Sequence, residues 1–140
     1  MGEESLITEE LKSKVGVGGE SLVCEIDEGM IRRFSAAVGD SVPLRQTVAP
    51  PAFIPTIGYG QFMQQMEALL GAGAIHGSTV LECYRPVRAG DVITVLTKIA
   101  DVRERRNGTM GRVVFLTFDI TYKNQRQELV AKCHQKIIGY

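Results

Sequence analysis

Few residues of this chain can do chemistry, and their types limit what that chemistry is. Asp40 directly follows Gly39, and a carboxylate in such a turn can serve as a general base toward water. Arg45 lies just beyond it. An arginine stays protonated at any working pH, so it can hold a phosphate but cannot pass protons. The stretch Ala49-Pro50-Pro51-Ala52-Phe53 opens an apolar helical pattern. A helix N-terminus offers unpaired amide N–H groups to an oxyanion, and since proline has none, Ala52 and Phe53 are the candidate donors. Tyr59, Phe62 and Met63 follow and could line a channel for an apolar chain. The two histidines are His76, on a small-residue joint before a predicted strand, and His134, on the lysine side of the last one.

Each candidate also has an ordinary reading. Asp40 can be a local hydrogen-bonding residue of a turn. Arg45 and His134 can be solvated, and His76 can pack or sit at an interface. The three channel candidates can simply be core. Cys24, Cys83 and Cys133 are odd in number and widely spaced, which fits neither a disulfide framework nor a zinc site, and no metal is expected. Cys83 and Cys133 fall on alternating strand patterns and read as small buried residues.

Composition narrows the class. Sixteen basic residues balance sixteen acidic ones, so no net field draws the chain to nucleic acid or an anionic membrane. Hydrophobic residues at 44% and charged residues at 23% are those of an ordinary globular domain, and one domain over 1–140 is expected. No apolar run reaches the roughly 18 residues of a membrane span. The acidic start, Met1-Gly2-Glu3-Glu4, lacks the regions of a signal peptide, and a cytoplasmic location is the natural expectation.

The elements that must position these residues follow from periodicity. A short helix is expected over 8–15 with Thr8 as its cap, then a Gly-rich joint at Gly16 to Gly19 and a strand from Ser21 to Ile26. Asp27 is a suitable N-cap for a helix whose Met30, Ile31, Phe34 and Val38 form one stripe and which ends at Gly39. After an irregular, proline-containing segment to Pro51, a second helix is predicted from about Ala52 to Leu70. Its first part is apolar nearly all round, as in a buried helix, and Phe62, Met66, Leu69 and Leu70 continue the stripe. Gly58 and Gly60 suggest close approach of a sheet or ligand. Strands are predicted over 78–86 and from Val92 to about Arg105, with a hairpin turn at Asn107-Gly108. Two alternating strands complete the chain. One carries Val114, Leu116, Phe118, Ile120 and Tyr122 on one face; the other carries Leu129, Ala131, Cys133 and Ile137. This order of elements implies an α+β domain in which an antiparallel sheet covers a buried helix.

Three segments carry a family resemblance: His76 to Asp91, with its Arg85-Pro86 break and Gly90-Asp91 turn; Ala49-Pro50-Pro51-Ala52-Phe53; and Gly39-Asp40-Ser41-Val42-Pro43-Leu44-Arg45. From about residue 20 onward the chain resembles the MaoC-like hydratases and dehydratases of the hot-dog fold. It is closest to their substrate-binding half, the FAS1-like dehydratase type. The resemblance implies a hot-dog domain acting on 2-enoyl or 3-hydroxyacyl thioesters of coenzyme A or an acyl-carrier protein, without a cofactor. Catalytic relatives read Gly-Asp-x-Asn-Pro-Leu-His where this chain keeps Asp40, Pro43 and Leu44 but has Val42 and Arg45. They tend to read His-Gly-Met where this chain has Ala49-Pro50-Pro51. The segment between this motif and the helix is also shorter here.

The implied partner is a second hot-dog unit, as a homodimer or as a heterodimer in which the other chain brings the Asp/His pair. In that arrangement Arg45 would meet a phosphate, and Ala52, Phe53, Tyr59, Phe62, Met63 and His76 would face the substrate. Two other readings stand beside it. A non-catalytic acyl-CoA-binding homo-oligomer would bind without turnover. A hot-dog thioesterase would use an acidic residue on the central helix, where Glu67 lies far from the entrance.

Overall fold

The computed structural model describes residues 9–16, 19, 21–40, 47–70, 73–109 and 111–140. Thr8, Val17, Gly18 and Arg45, and the side chain of Leu70, fall outside the described residues. Helix α1 spans Glu9–Lys14 and strand β1 spans Ser21–Glu25. Helix α2, Glu28–Ala37, starts where Asp27 Oδ1 accepts from Met30 N at 2.7 Å, as the capping pattern predicts. It ends at Gly39, whose φ of +78° suits a residue without Cβ, and Asp40 N donates to Ser35 O at 2.7 Å. The predicted stripe is shorter than its pattern: Ile31 is buried and Phe34 packs on the core, while Val38 is exposed in the cap.

The single helix expected from Ala52 to Leu70 is two pieces. A 3₁₀ segment, Pro51–Thr56, is followed by α3, Tyr59–Leu70. Pro55 and Gly58 explain the division. Proline cannot donate into a continuing helix, and Gly58 turns the chain at φ +74°. An added Cβ there would stand 2.9 Å from a Leu22 methyl on β1, so the expected close approach occurs at Gly58. At Gly60 nothing lies within 4 Å of that position, and the expectation fails.

Strands β2 (Ala74–Cys83), β3 (Val92–Asn107), β4 (Gly111–Lys123) and β5 (Leu129–Gly139) join β1 in one antiparallel sheet of order β1-β3-β4-β5-β2. The edge strand β2 begins and ends earlier than the 78–86 expected. It takes in His76 because a bulge at Gly77 keeps the ladder going; a Cβ there would lie 3.0 Å from the Lys136 carbonyl oxygen. It stops at Cys83 because Tyr84 N and Arg85 N both turn to Val130 O, at 2.8 and 3.1 Å. Leu116, Phe118, Ile120 and Tyr122 on β4 and Ala131, Cys133 and Ile137 on β5 are buried, as their alternation predicts. Helix α3 lies over that face, where the Phe62 and Phe118 rings meet edge to face at 5.0 Å between centroids. Cys83 shares the alternation but is exposed, because β2 is at the sheet edge.

Candidate functional site

The two marker segments of the sequence are bonded to each other. Ala49 N donates to Val87 O and Ala89 N to Thr47 O, both at 2.8 Å. Asp91 makes this rigid. Its carboxylate accepts from Arg88 N at 2.8 Å and from Gln125 Nε2 at 3.1 Å, while its carbonyl oxygen accepts from Ile26 N, just past the end of β1, at 2.8 Å. The Gly90-Asp91 turn is therefore a brace that fixes where the 3₁₀ segment begins.

At that beginning, Ala52 is exposed and Phe53 is buried. The Phe53 ring meets Phe34 edge to face at 5.7 Å, so the helix that leads to Asp40 packs on this segment. Phe53 N already donates to Pro50 O at 2.9 Å. Of the two predicted oxyanion donors, one is thus engaged within the chain. Asp40 is half-buried at the end of α2.

Past the Gly58 turn, a narrow, partly open cleft runs between α3 and the sheet. Its walls include Tyr59, Phe62, Val95, Ile120, Tyr122 and Gln135. A second narrow cleft continues on the other side of Phe62 toward Leu22, Gln61 and Gln65. Among the described residues, those lining both include no carboxylate and no histidine. Burial pushes the Tyr122 phenol further above its ordinary value, so it stays protonated. These walls are apolar, with a few neutral polar groups. They cannot move protons near neutral pH.

Of the predicted substrate-binding residues, Tyr59 and Phe62 come together here. Met63 packs against the core, and His76 is exposed on β2 with its Nε2 2.8 Å from Thr79 Oγ1. Glu67 is exposed on α3 and lines neither cleft. His134, read as exposed, is half-exposed and paired: its Nδ1 lies 2.6 Å from Asp119 Oδ1 on the outer face of the sheet. Gln135 escaped the sequence reading, although it interrupts the apolar face of β5 between Cys133 and Ile137. Among the described residues no group of three or more His, Cys, Asp or Glu could hold a metal. No described helix is long and apolar enough to cross a membrane.

A five-stranded antiparallel sheet curled over one central helix is the hot-dog fold, in the α+β class. The chain belongs to the family described as FAS1-like, dehydratase domain region, whose model matches residues 13–133. Among curated relatives it is 32% identical over 95 residues to a UPF0336 protein of Streptomyces avermitilis, covering 56% of this chain and 63% of that one. The chain therefore spans less than two thirds of that relative's length. It is 30% identical over 118 residues to a UPF0336 protein of Parafrankia, covering 73% of this chain and 75% of that one. Among solved structures it is similar to the C-terminally truncated HadBC (3R-hydroxyacyl-ACP dehydratase) complex from Mycobacterium tuberculosis, with 20% identity over 90% of this chain and 99% of that chain and a TM-score of 0.70. The ChsH1-ChsH2 complex of the same organism matches at 17% identity, 92% of each chain and a TM-score of 0.71. A MaoC-like dehydratase matches at 19% identity, 91% of this chain and 42% of that chain, with a TM-score of 0.76. These structural likenesses establish the fold.

Proposed function

We propose that this chain is the acyl-binding unit of a hot-dog hydratase/dehydratase acting on 2-enoyl and 3-hydroxyacyl thioesters of coenzyme A or an acyl-carrier protein. A second hot-dog unit supplies the aspartate–histidine pair. One observation carries the reading: the clefts under α3 are lined by apolar and neutral polar side chains, with no carboxylate or histidine among the described residues. In hydration the oxygen of water bonds to C3 and a proton goes to C2, while amide donors steady the enolate oxygen. Asp40 alone offers one proton-transfer group, and Arg45 stands where relatives have the second. In this proposal the thioester carbonyl lies at the exposed Ala52 end, Arg45 meets a phosphate of the carrier, and the chain runs past Tyr59 and Phe62. His76, exposed on β2, faces the partner.

The edge strand supports a partner of the same fold. Nearly all of β2 is open on both faces, and Ile75, Val80 and the adjoining Tyr84 are exposed apolar or aromatic residues. A long uncovered edge is a template for another strand. The HadBC and ChsH1-ChsH2 structures, by their names, are complexes of two different chains.

Calorimetric titration with crotonyl-CoA tests the binding half of the proposal. The wild-type chain should bind it, and Tyr59→Arg, a change at an exposed position, should weaken binding by roughly tenfold or more without altering the melting temperature. No binding by the wild type, or unchanged affinity in the variant, would remove the clefts from the account.

A further inference from the structure

Position 135 breaks the pattern of an otherwise apolar sheet face. Cys133 and Ile137 flank Gln135 on the inner side of β5, and its cross-strand neighbours are Phe118 and Thr79. Only 2% of Gln135 is exposed. Its Nε2 donates weakly to Cys133 Sγ at 3.9 Å, and its Oε1 is buried with no hydrogen-bond partner among the described residues. A buried amide left this way destabilises a fold, whereas leucine or methionine in its place would not. The residue thus weakens the core it sits in, unless something polar comes to meet it.

The place where that can happen is defined. Gln135 lines the narrow cleft beneath Gly58 and Phe62, whose walls also carry the hydroxyl-bearing Thr97 and Tyr122. The free space beside it is about water-sized, far below that of a site for a whole small molecule, so it takes only the last atoms of a chain. No charged side chain lines it, which disfavours a carboxylate or ammonium group taken out of water. A hydroxyl fits instead. It both donates and accepts, so it can pair with the amide whichever way that group is turned.

We infer that this cleft is a polar subsite for the inner end of the acyl chain, and that Gln135 selects chains carrying a hydroxyl remote from the thioester over plain alkyl chains. The inference rests on the acyl-thioester reading above and narrows its substrate class. A site built to pair with a hydroxyl rejects the analogue lacking it far better than an apolar pocket counts methylenes.

The test is a titration of the purified chain with butanoyl-, hexanoyl- and octanoyl-CoA and with the ω-hydroxy counterpart of each. At the length that reaches Gln135 the hydroxylated thioester should bind about tenfold more tightly than the plain one. In Gln135→Leu, and in Gln135→Met, which keeps the side chain's length and approximate volume, that preference should vanish while the plain thioester binds at least as well. Equal affinities at every length in the wild type, or a preference that survives Gln135→Met, would overturn the polar subsite and leave acyl-thioester binding in place. Binding of neither series would overturn both.

Discussion

The two edges of the sheet are built differently. Strand β1 is a five-residue strand, and its inner residues Leu22 and Cys24 pack against the core; Leu22 meets the turn at Gly58. Strand β2 has ten residues, exposed on nearly all of both faces, and it bears His76, Val80 and Cys83 in the open. Short strands held down by a neighbouring element are how proteins close an edge; a long bare strand leaves one available. The β1 edge is thus held down by the core, and in the proposal above the bare β2 edge is the one that takes a second unit.

The centre of the sheet sets the scale for both edges. Phe118→Ala removes the ring under Phe62 and should cost about 3–5 kcal/mol in denaturant unfolding, more than any truncation on either edge. Gly58→Ala acts on the β1 side. Its positive φ and the nearby Leu22 methyl make a loss of about 1–2 kcal/mol the expected result, whereas Gly60→Ala should be neutral or stabilising. A Gly58→Ala protein as stable as wild type would show that β1 is not clamped by this turn.

Lysine placed on each edge sharpens the contrast directly. Val80→Lys on β2 should weaken self-association or partner binding by about tenfold, read by sedimentation equilibrium, because a charge is set into the proposed contact. Val23→Lys on β1 should leave association unchanged, although Val23 is 63% exposed and Val80 54%. Equal effects would make the two edges equivalent.

The smallest expected effect is on pH dependence. Hydrogen bonds from Arg126 and then Asn124 hold the Glu128 carboxyl below its ordinary 4.5, and Glu128 also meets Arg85 at 3.0 Å just beyond the end of β2. A depressed carboxyl contributes stability above pH 4.5 that is lost as pH falls through its lower folded-state value. Glu128→Gln should therefore reduce stability slightly near neutral pH and flatten the acid limb of the unfolding profile.

Much of this was legible in the sequence. Asp27 and Gly39 mark the ends of α2 by their chemistry alone, and alternation in β4 and β5 names most of the buried face, although Leu129 is only half-buried and its neighbour Val130 is fully buried. Strand order was not legible, and this is why Cys83 and Cys133, alike in pattern, differ in exposure. The division at Gly58 was masked by an apolar stretch that reads as one helix, although Pro55 is a local cause. Asp91 stood in the most informative segment, yet its role as a brace depends on Gln125, far along the chain. Tyr59 and Phe62, expected to line a channel, do line one cleft, while Met63, expected beside them, packs on the core. Gln135 was visible as a break in alternation, but its unpaired oxygen depends on where α3 lies over the sheet.

The account turns on whether this chain binds its thioester without transforming it. Hydration of crotonyl-CoA by the purified chain alone, followed by loss of the enoyl absorbance beside the Asp40→Asn variant, decides this. The prediction is no hydration by either protein at concentrations where the wild type is saturated with ligand. Hydration by the wild type that Asp40→Asn abolishes would contradict the account and make Asp40 the centre of an independent enzyme.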